Sequence, residues 1–419
     1  FHDGDGDMKT QFTIAAALMM TTTAASASGI DRNLTNYGIL FEAGNYVELS
    51  YATVSPSVSG TYGDGIIGLT GSVGDTGNMS KDFNTLSGSV KYDLTNKLAL
   101  GLFSNKPFGA NAEYPSGLYT ALAAEWDSRG TSIVLKYKVT PNISVYGGTR
   151  SIASQATIAI PDQLLRTGYK IKAGQLAAAA GAEGLDATTI ATLSGQAAQL
   201  NAIATSSPAG TLDYTAETGS DRQTSYIVGA AYERPEIALR VALTYESGYT
   251  HTLETVENLP ALSIIDRQSV TEISMPDVYT LDFQSGVAKD TLVFGSIRHA
   301  TWSDWHVIPI GYEDATGGEV TGIETDTTTY RIGVGRKVTD ALSGFARVTY
   351  EPGNGDVASR LAPTDGSTAF GFGGSYTNGT IKVTGGVEYI TFGEATDAFG
   401  TEFAENDAVA VGLSVGYRF

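Results

Sequence analysis

The residues able to do chemistry are few. The chain has no cysteine and only four histidines, three of which, His251, His299 and His306, lie beyond the N-terminal leader. Disulfides and thiolate metal sites are therefore excluded, and three scattered histidines predict no metal centre. Asp304 and His306 stand close enough to suggest the acid–base pair of a hydrolase, but no nucleophile motif accompanies them. Gly63-Asp64-Gly65-Ile66-Ile67-Gly68 fits GxGxxG. A dinucleotide site needs a strand before that turn and a helix after it, and here the motif falls in a loop. Asp3-Gly4-Asp5-Gly6-Asp7 matches part of a calcium loop and lacks the remainder. The expectation is a protein that is not an enzyme and carries no catalytic residue, cofactor or metal.

The remaining charges are arranged in a way that speaks of architecture. Arg240 and Glu246 alternate with Leu239, Val241, Leu243 and Tyr245. Lys382 and Glu388 alternate with Ile381, Val383, Val387 and Tyr389, and Lys91 with Val90 and Tyr92. Residues 408–419 show the pattern most cleanly: Val409, Val411, Leu413, Val415, Tyr417 and Phe419 on one face, small or polar residues on the other. Strict period two is the signature of a strand. An apolar face meets a second sheet in a soluble sandwich and lipid in a membrane barrel, and periodicity does not choose between them.

Loop lengths do. Fourteen candidate strands lie near 45–54, 84–93, 98–104, 128–138, 143–160, 223–232, 237–251, 269–286, 291–302, 325–337, 341–351, 367–376, 380–392 and 407–419. Short connections alternate with long ones, the long ones near 55–83, 105–127, 161–222, 252–268, 303–324, 352–366 and 393–406. An even strand count with tight turns at one end and long loops at the other predicts an all-β, 14-stranded antiparallel transmembrane β-barrel of the bacterial outer membrane, both termini on the periplasmic side. No run of eighteen apolar residues offers a helical span. The net charge of -19 argues against nucleic acid, which needs a basic face. It crowds instead into the long loops, as a solvated surface or as a divalent-cation bridge to lipopolysaccharide.

The ends and one loop complete the division. Residues 1–7 are upstream residues. Residues 8–27, with Met8-Lys9-Thr10, an apolar stretch at 12–20 and Ala25-Ser26-Ala27, are a signal peptide. Residues 28–44 form a short N-terminal plug or hatch segment, and 45–419 the barrel. Within the extracellular loop at about 161–222, residues 170–205 are Ala-rich and helical. Ile190, Leu193, Ala197 and Leu200 make one apolar stripe that Asp186 could cap. The stripe either packs on neighbouring loops or forms an extracellular groove for substrate.

Met275-Pro276-Asp277-Val278-Tyr279-Thr280-Leu281-Asp282-Phe283, the turn at Ala288-Lys289-Asp290, and the strand from Leu292 to Trp305 resemble the P-x-x-x-T-L-G-F and S-V-R-W-T-x-W-S hairpin of the FadL family of outer-membrane transporters for long-chain fatty acids and other hydrophobic compounds. Leu98 to Gly109, ending Asn105-Lys106-Pro107-Phe108-Gly109, is similar to that family's interrupted third strand. The resemblance implies a monomer that takes up a long-chain fatty acid or an aromatic hydrocarbon. It implies an apolar lumen pocket, placed here at Phe103, Phe108, Leu292 and Phe294 with Arg298 as carboxylate anchor, and a lateral opening at Pro107 and Gly109. The family's Asn-Pro-Ala hatch element is missing, so the expected plug is short. The rival expectation is a general diffusion porin for small hydrophilic solutes, with Lys91, Arg240, Arg331, Arg347, Lys382 and Glu388 lining its channel.

Overall fold

The computed structural model describes residues 30–71 and 74–419; the upstream residues and the signal peptide lie outside them. Fourteen strands form the wall: β1 (Tyr46–Ser57), β2 (Phe83–Asp93), β3 (Leu98–Asn105, resuming at Gly109–Glu113), β4 (Ala123–Lys138), β5 (Ile143–Ile160), β6 (Tyr214–Thr218 and Asp221–Arg234), β7 (Leu239–Glu246 and Tyr249–Leu259), β8 (Ile264–Met275 and Val278–Ala288), β9 (Thr291–Ala300), β10 (Thr327–Lys337), β11 (Leu342–Glu351), β12 (Ser367–Asn378), β13 (Ile381–Phe392) and β14 (Asp407–Arg418). Each pairs antiparallel with its chain neighbours. β1 pairs with β14 over its whole length, from Tyr46↔Arg418 to Ser57↔Asp407, which closes the barrel. Closure joins the first strand to the last, as a sheet that spans lipid requires.

The alternation decides which way each side chain points. Val228, Leu243, Leu86 and Leu413 are 60%, 53%, 58% and 50% exposed, while their strand neighbours Ile227, Ala242, Thr244 and Thr85 are buried. Large apolar residues on the outside of a closed barrel make a lipid-facing band, and the chain is a transmembrane β-barrel of the outer-membrane type. Tyrosines mark both rims of the band, Tyr92, Tyr137, Tyr232, Tyr376 and Tyr417 near the tight turns and Tyr226, Tyr279, Tyr330, Tyr350 and Tyr389 towards the long loops, all of them exposed.

Several strands rise higher than the sequence pattern suggests. β4 begins at Ala123 rather than near 128, and β6 adds Tyr214–Thr218 inside the expected loop. The expected loop at 252–268 is a tall hairpin, turning at Pro260–Leu262. Above the membrane the faces exchange character. In β4 the outward residues pass from Ile133, Leu135 and Tyr137 to Glu125, Asp127 and Arg129, and buried Trp126 faces in. In β7, Leu253 and Leu259 point inward and are fully buried, with Thr252 and Glu254 outside. Water replaces lipid outside, so an apolar-out pattern no longer marks these strands.

Among the described residues four α-helices occupy the long loops: α1 (Asp64–Thr70), α2 (Asp162–Ala180), α3 (Ala187–Ser206) and α4 (Ile310–Thr316). The GxGxxG residues span the start of α1: Gly63 is its N-cap, and Gly65 and Gly68 lie within this single short helix with Ile66 buried beneath it, so they build no phosphate cradle. α2 and α3 form a hairpin. Asp186 caps α3 by accepting from the backbone N–H of Thr188 and Thr189 at 2.9 and 3.0 Å. At the start of α2, burial raises the Asp162 carboxyl, but hydrogen bonds from Arg166 and from the backbone N–H of Leu212 and Gly210 outweigh it and hold the group below the usual carboxylate range.

Candidate functional site: a charged floor, an apolar chamber and a break in the wall

Residues 30–44 run through the lumen, and the inward charges hold them there. Lys91 donates to the carbonyls of Glu42 and Gly44 at 2.9 and 2.8 Å, and Lys136 to that of Leu40 at 3.1 Å. Lys382 pairs with the Glu42 carboxylate at 3.0 Å. Tyr37 and Arg150 share Glu246, at 2.9 and 2.6 Å. Arg240 lies over the Phe41 ring, 4.7 Å from its centroid. Arg347 and Glu388 form a two-pronged pair of 3.1 and 2.9 Å, and Arg331 donates to Thr349 at 3.2 Å. Five of the six charges expected to line a porin channel are thus engaged with the plug or with one another, and Arg331 with the wall residue Thr349. Such pairs form a polar floor in the half of the lumen near the tight turns.

The opposite half is apolar. Its core gathers Trp126, Trp302, Trp305, Phe108, Ile152, Ile158, Leu253 and Ile273, all buried. The chain's three tryptophans sit edge to face within it, Trp302 to Trp305 at 6.3 Å and Trp126 to Trp305 at 6.4 Å between ring centroids. None of their indole N–H groups finds an acceptor among the described residues. Beside them a chamber is lined by Ile30, Ala110, Ala112, Trp126, Ala156, Ile158, Trp305, Val307 and Ile323. Nearer the surface lies a wider groove under α2, lined by Leu164, Leu165, Tyr169, Tyr312, Leu361 and Phe399. Burial pushes the Tyr169 hydroxyl up to about 12, so it stays protonated and donates to the Ala315 carbonyl at 3.1 Å. Thr321, Gly322 and Leu361 line both spaces and form the partition between them.

The wall is broken at β3. β2 and β3 are paired from Asp93↔Ala99 up to Gly88↔Ser104. There Lys106-Pro107-Phe108 turns inward and the plug takes over its hydrogen bonds. Arg32 N–H donates to the Pro107 carbonyl at 2.9 Å and Gly109 N–H to the Ile30 carbonyl at 2.7 Å. Phe108 exchanges hydrogen bonds of 2.9 and 2.6 Å with the Ser128 hydroxyl. Proline has no N–H for a ladder and suits such a departure. β3 resumes at Gly109 paired to β4 alone, which leaves residues 83–87 of β2 with no strand on that side among the described residues. The two chains meet again at Ser80↔Ala112, beside the Lys81–Glu113 ion pair. Leu86, exposed and paired with Tyr51, places the break within the lipid-facing band rather than in a loop above it. The Arg32 guanidinium stands 3.8 Å from the centroid of the Phe83 ring beside it. A Cβ on Gly109 would come within 2.8 Å of Arg32 Cγ, so glycine is what allows this approach.

The site residues expected from sequence scatter differently. Phe108 joins the apolar half, Phe103 packs with Tyr37 near the floor, and Leu292 and Phe294 form a small cluster with Ala238 and Phe345; no single pocket contains the four. Arg298 is buried facing inward as expected, but Asp31 occupies it, with N···O distances of 2.8 and 3.1 Å. Ile190 is exposed, Leu193 half-buried, and Leu200 packs on the core beneath. The groove is lined by α2 instead of this stripe, because period 3.6 fixes a face and not its partner. His306 pairs with Glu319 at 2.7 Å rather than with Asp304. Sequence reading missed Ile30, Asp31, Trp126 and Trp305. A tryptophan between Glu125 and Asp127, pointing opposite to two charges, was the available signal.

No family model and no curated protein sequence matches the chain. Solved structures match it in fold. A FadL homologue of Pseudomonas aeruginosa superposes with a TM-score of 0.66 at 14% identity, over 91% of this chain and 92% of that one. The toluene transporter TodX of P. putida gives 0.58 at 14%, covering 91% and 92%. The toluene transporter TbuX of Ralstonia pickettii gives 0.57 at 11%, covering 91% of each.

Proposed function

We propose that this barrel, built on the fold shared by a FadL homologue and the toluene transporters, carries small hydrophobic compounds passively across the outer membrane. Cargo lands in the groove under α2, passes the partition into the tryptophan-lined chamber, and leaves sideways through the break between β2 and β3 into lipid. The observation that carries the reading is the apolar chamber lying above a charged, plugged floor and beside a break in the lipid-facing wall. A lateral route spares apolar cargo the polar floor, where desolvating those ion pairs would oppose it.

The cargo best suited to the chamber is neutral. Its lining holds no Lys or Arg, and the nearby Arg298 already has a carboxylate partner in Asp31. A long-chain fatty acid would have to displace Asp31 to reach that cation. No step of this passage calls for catalysis. The test is competitive uptake of toluene and oleate by cells expressing the protein, with planar-bilayer conductance alongside. Uptake of toluene above the empty strain, with no large steady channels, is the expected result. Large open channels with no hydrocarbon uptake would instead mark a diffusion porin.

A further inference from the structure

The loop that divides groove from chamber carries a charged cluster at the border of the groove, which Glu319 and Glu324 help to line. A two-residue hairpin pairs His306–Val307 with Thr321–Gly322, His306 lying opposite Gly322. Glu319 and Glu324 flank the return strand. One ligand atom from each of His306, Glu319 and Glu324 can be chosen so that all three lie within 4.8 Å of one another. From this geometry we infer a binding site for one divalent transition-metal ion of the zinc class, held by His306 Nδ1 and the carboxylates of Glu319 and Glu324, that fastens the partition between the two cavities.

Three independent features point to a cation. His306 Nε2 lies 3.1 Å from the Ser303 carbonyl, which can only accept, so Nε2 carries the hydrogen. That leaves Nδ1 facing the Glu319 carboxylate at 2.7 Å, a contact that either a proton or a metal ion between the two completes. A metal-bound imidazole commonly donates its other N–H to a backbone carbonyl, which fixes the ring for coordination. Secondly, neither Glu319 nor Glu324 has a Lys or Arg within ion-pair distance among the described residues, the only cationic partner being His306. Thirdly, a Cβ at position 322 would collide with both His306 Nδ1 and the Glu319 carboxylate, so glycine keeps this space open.

One imidazole and two carboxylates suit zinc, with water in the fourth position. Ligands at about 2.0–2.2 Å in a tetrahedron stand roughly 3.3–3.6 Å apart, so Glu319 would swing outward by less than about 1 Å. The metal would tie the two ends of the 303–324 loop together behind Thr321 and Gly322. Only that consequence for passage rests on the transport reading; the binding itself does not.

The experiment is calorimetric titration of the folded, detergent-solubilised protein with Zn2+ alone. One saturable equivalent is expected. His306→Gln should weaken it about 100-fold and Glu319→Gln or Glu324→Gln at least about 10-fold, while Glu313→Gln, on α4 outside the cluster, leaves it unchanged. Heat-modifiable mobility on gels confirms that each variant is a folded barrel. Absence of saturable binding, or binding by His306→Gln equal to the unmodified protein, overturns the site. Since no cargo enters the measurement, it succeeds or fails independently of uptake.

Discussion

The two halves of this barrel are built from the same fourteen strands and obey opposite rules. Near the tight turns the lumen is ionic, as at Lys382–Glu42 and Arg347–Glu388, and the outside is leucine, valine and tyrosine. Towards the long loops the inside is tryptophan, isoleucine and leucine, and the outside carries Glu125, Arg129 and Glu254. The strand backbone does not change; the solvent does. Lipid accepts the apolar face in one half, and in the other that face can be hidden only inside. A space for apolar cargo therefore arises where strands outgrow the membrane, because there the interior becomes the sole place to bury apolar surface.

The break at β3 lies where the two regimes meet, and closing it is the sharpest way to test the comparison. Continuing the β2–β3 register would bring Leu86 opposite Lys106. Cysteines at these positions, joined by a short cleavable thiol cross-linker, should lower hydrocarbon uptake at least about tenfold, because an unpaired wall in lipid is tolerated only where it lines a passage. Cleaving the linker should restore it. Undiminished uptake in a cross-linked, heat-modifiable barrel would rule out the sideways route.

The ion pair that ties the plug to the wall below the chamber, Arg298–Asp31, predicts the next largest effect. Arg298→Ala leaves the Asp31 carboxylate buried without its partner, which costs about 3–5 kcal/mol. The plug should loosen, with faster proteolysis near residue 31 and measurable ion conductance. Asp31→Ala combined with Arg298→Ala should cost less than the sum of the single changes, since the two side chains form one interaction. Additive costs in denaturant titrations would show that the pair does not hold the plug.

A charge placed on the outer face tests the boundary itself. Leu243→Lys, in the lipid-facing band, should destabilise the barrel by about 2–4 kcal/mol. Val256→Lys, on the outer face of the same wall strand but above the membrane, should stay within about 0.5 kcal/mol. Equal costs in refolding titrations would erase the distinction between the halves. The smallest effect is on topology: a cysteine at Gly318 should be labelled from outside intact cells and one at Asn378 should not, with no change in stability. The reverse labelling would invert the barrel.

Much of this was legible in the sequence. Strict alternation at 408–419 and the exchange of tight turns with long loops determine a closed fourteen-stranded barrel, because side-chain period and loop length are local properties of a chain. The inward direction of Arg298, the cap at Asp186 and the departure of β3 at Pro107 follow from the same local rules. What tertiary structure alone decided is which inward groups meet. Phe103, Phe108, Leu292 and Phe294 share an orientation but belong to separate clusters, since height along the barrel depends on strand stagger. Asp31 and Arg298 lie far apart in sequence and come together only because the plug crosses the lumen. The upper strands at Gly109–Glu113 and Tyr214–Thr218 are hidden from pattern reading because water on their outer side removes the apolar stripe that announces a strand in lipid.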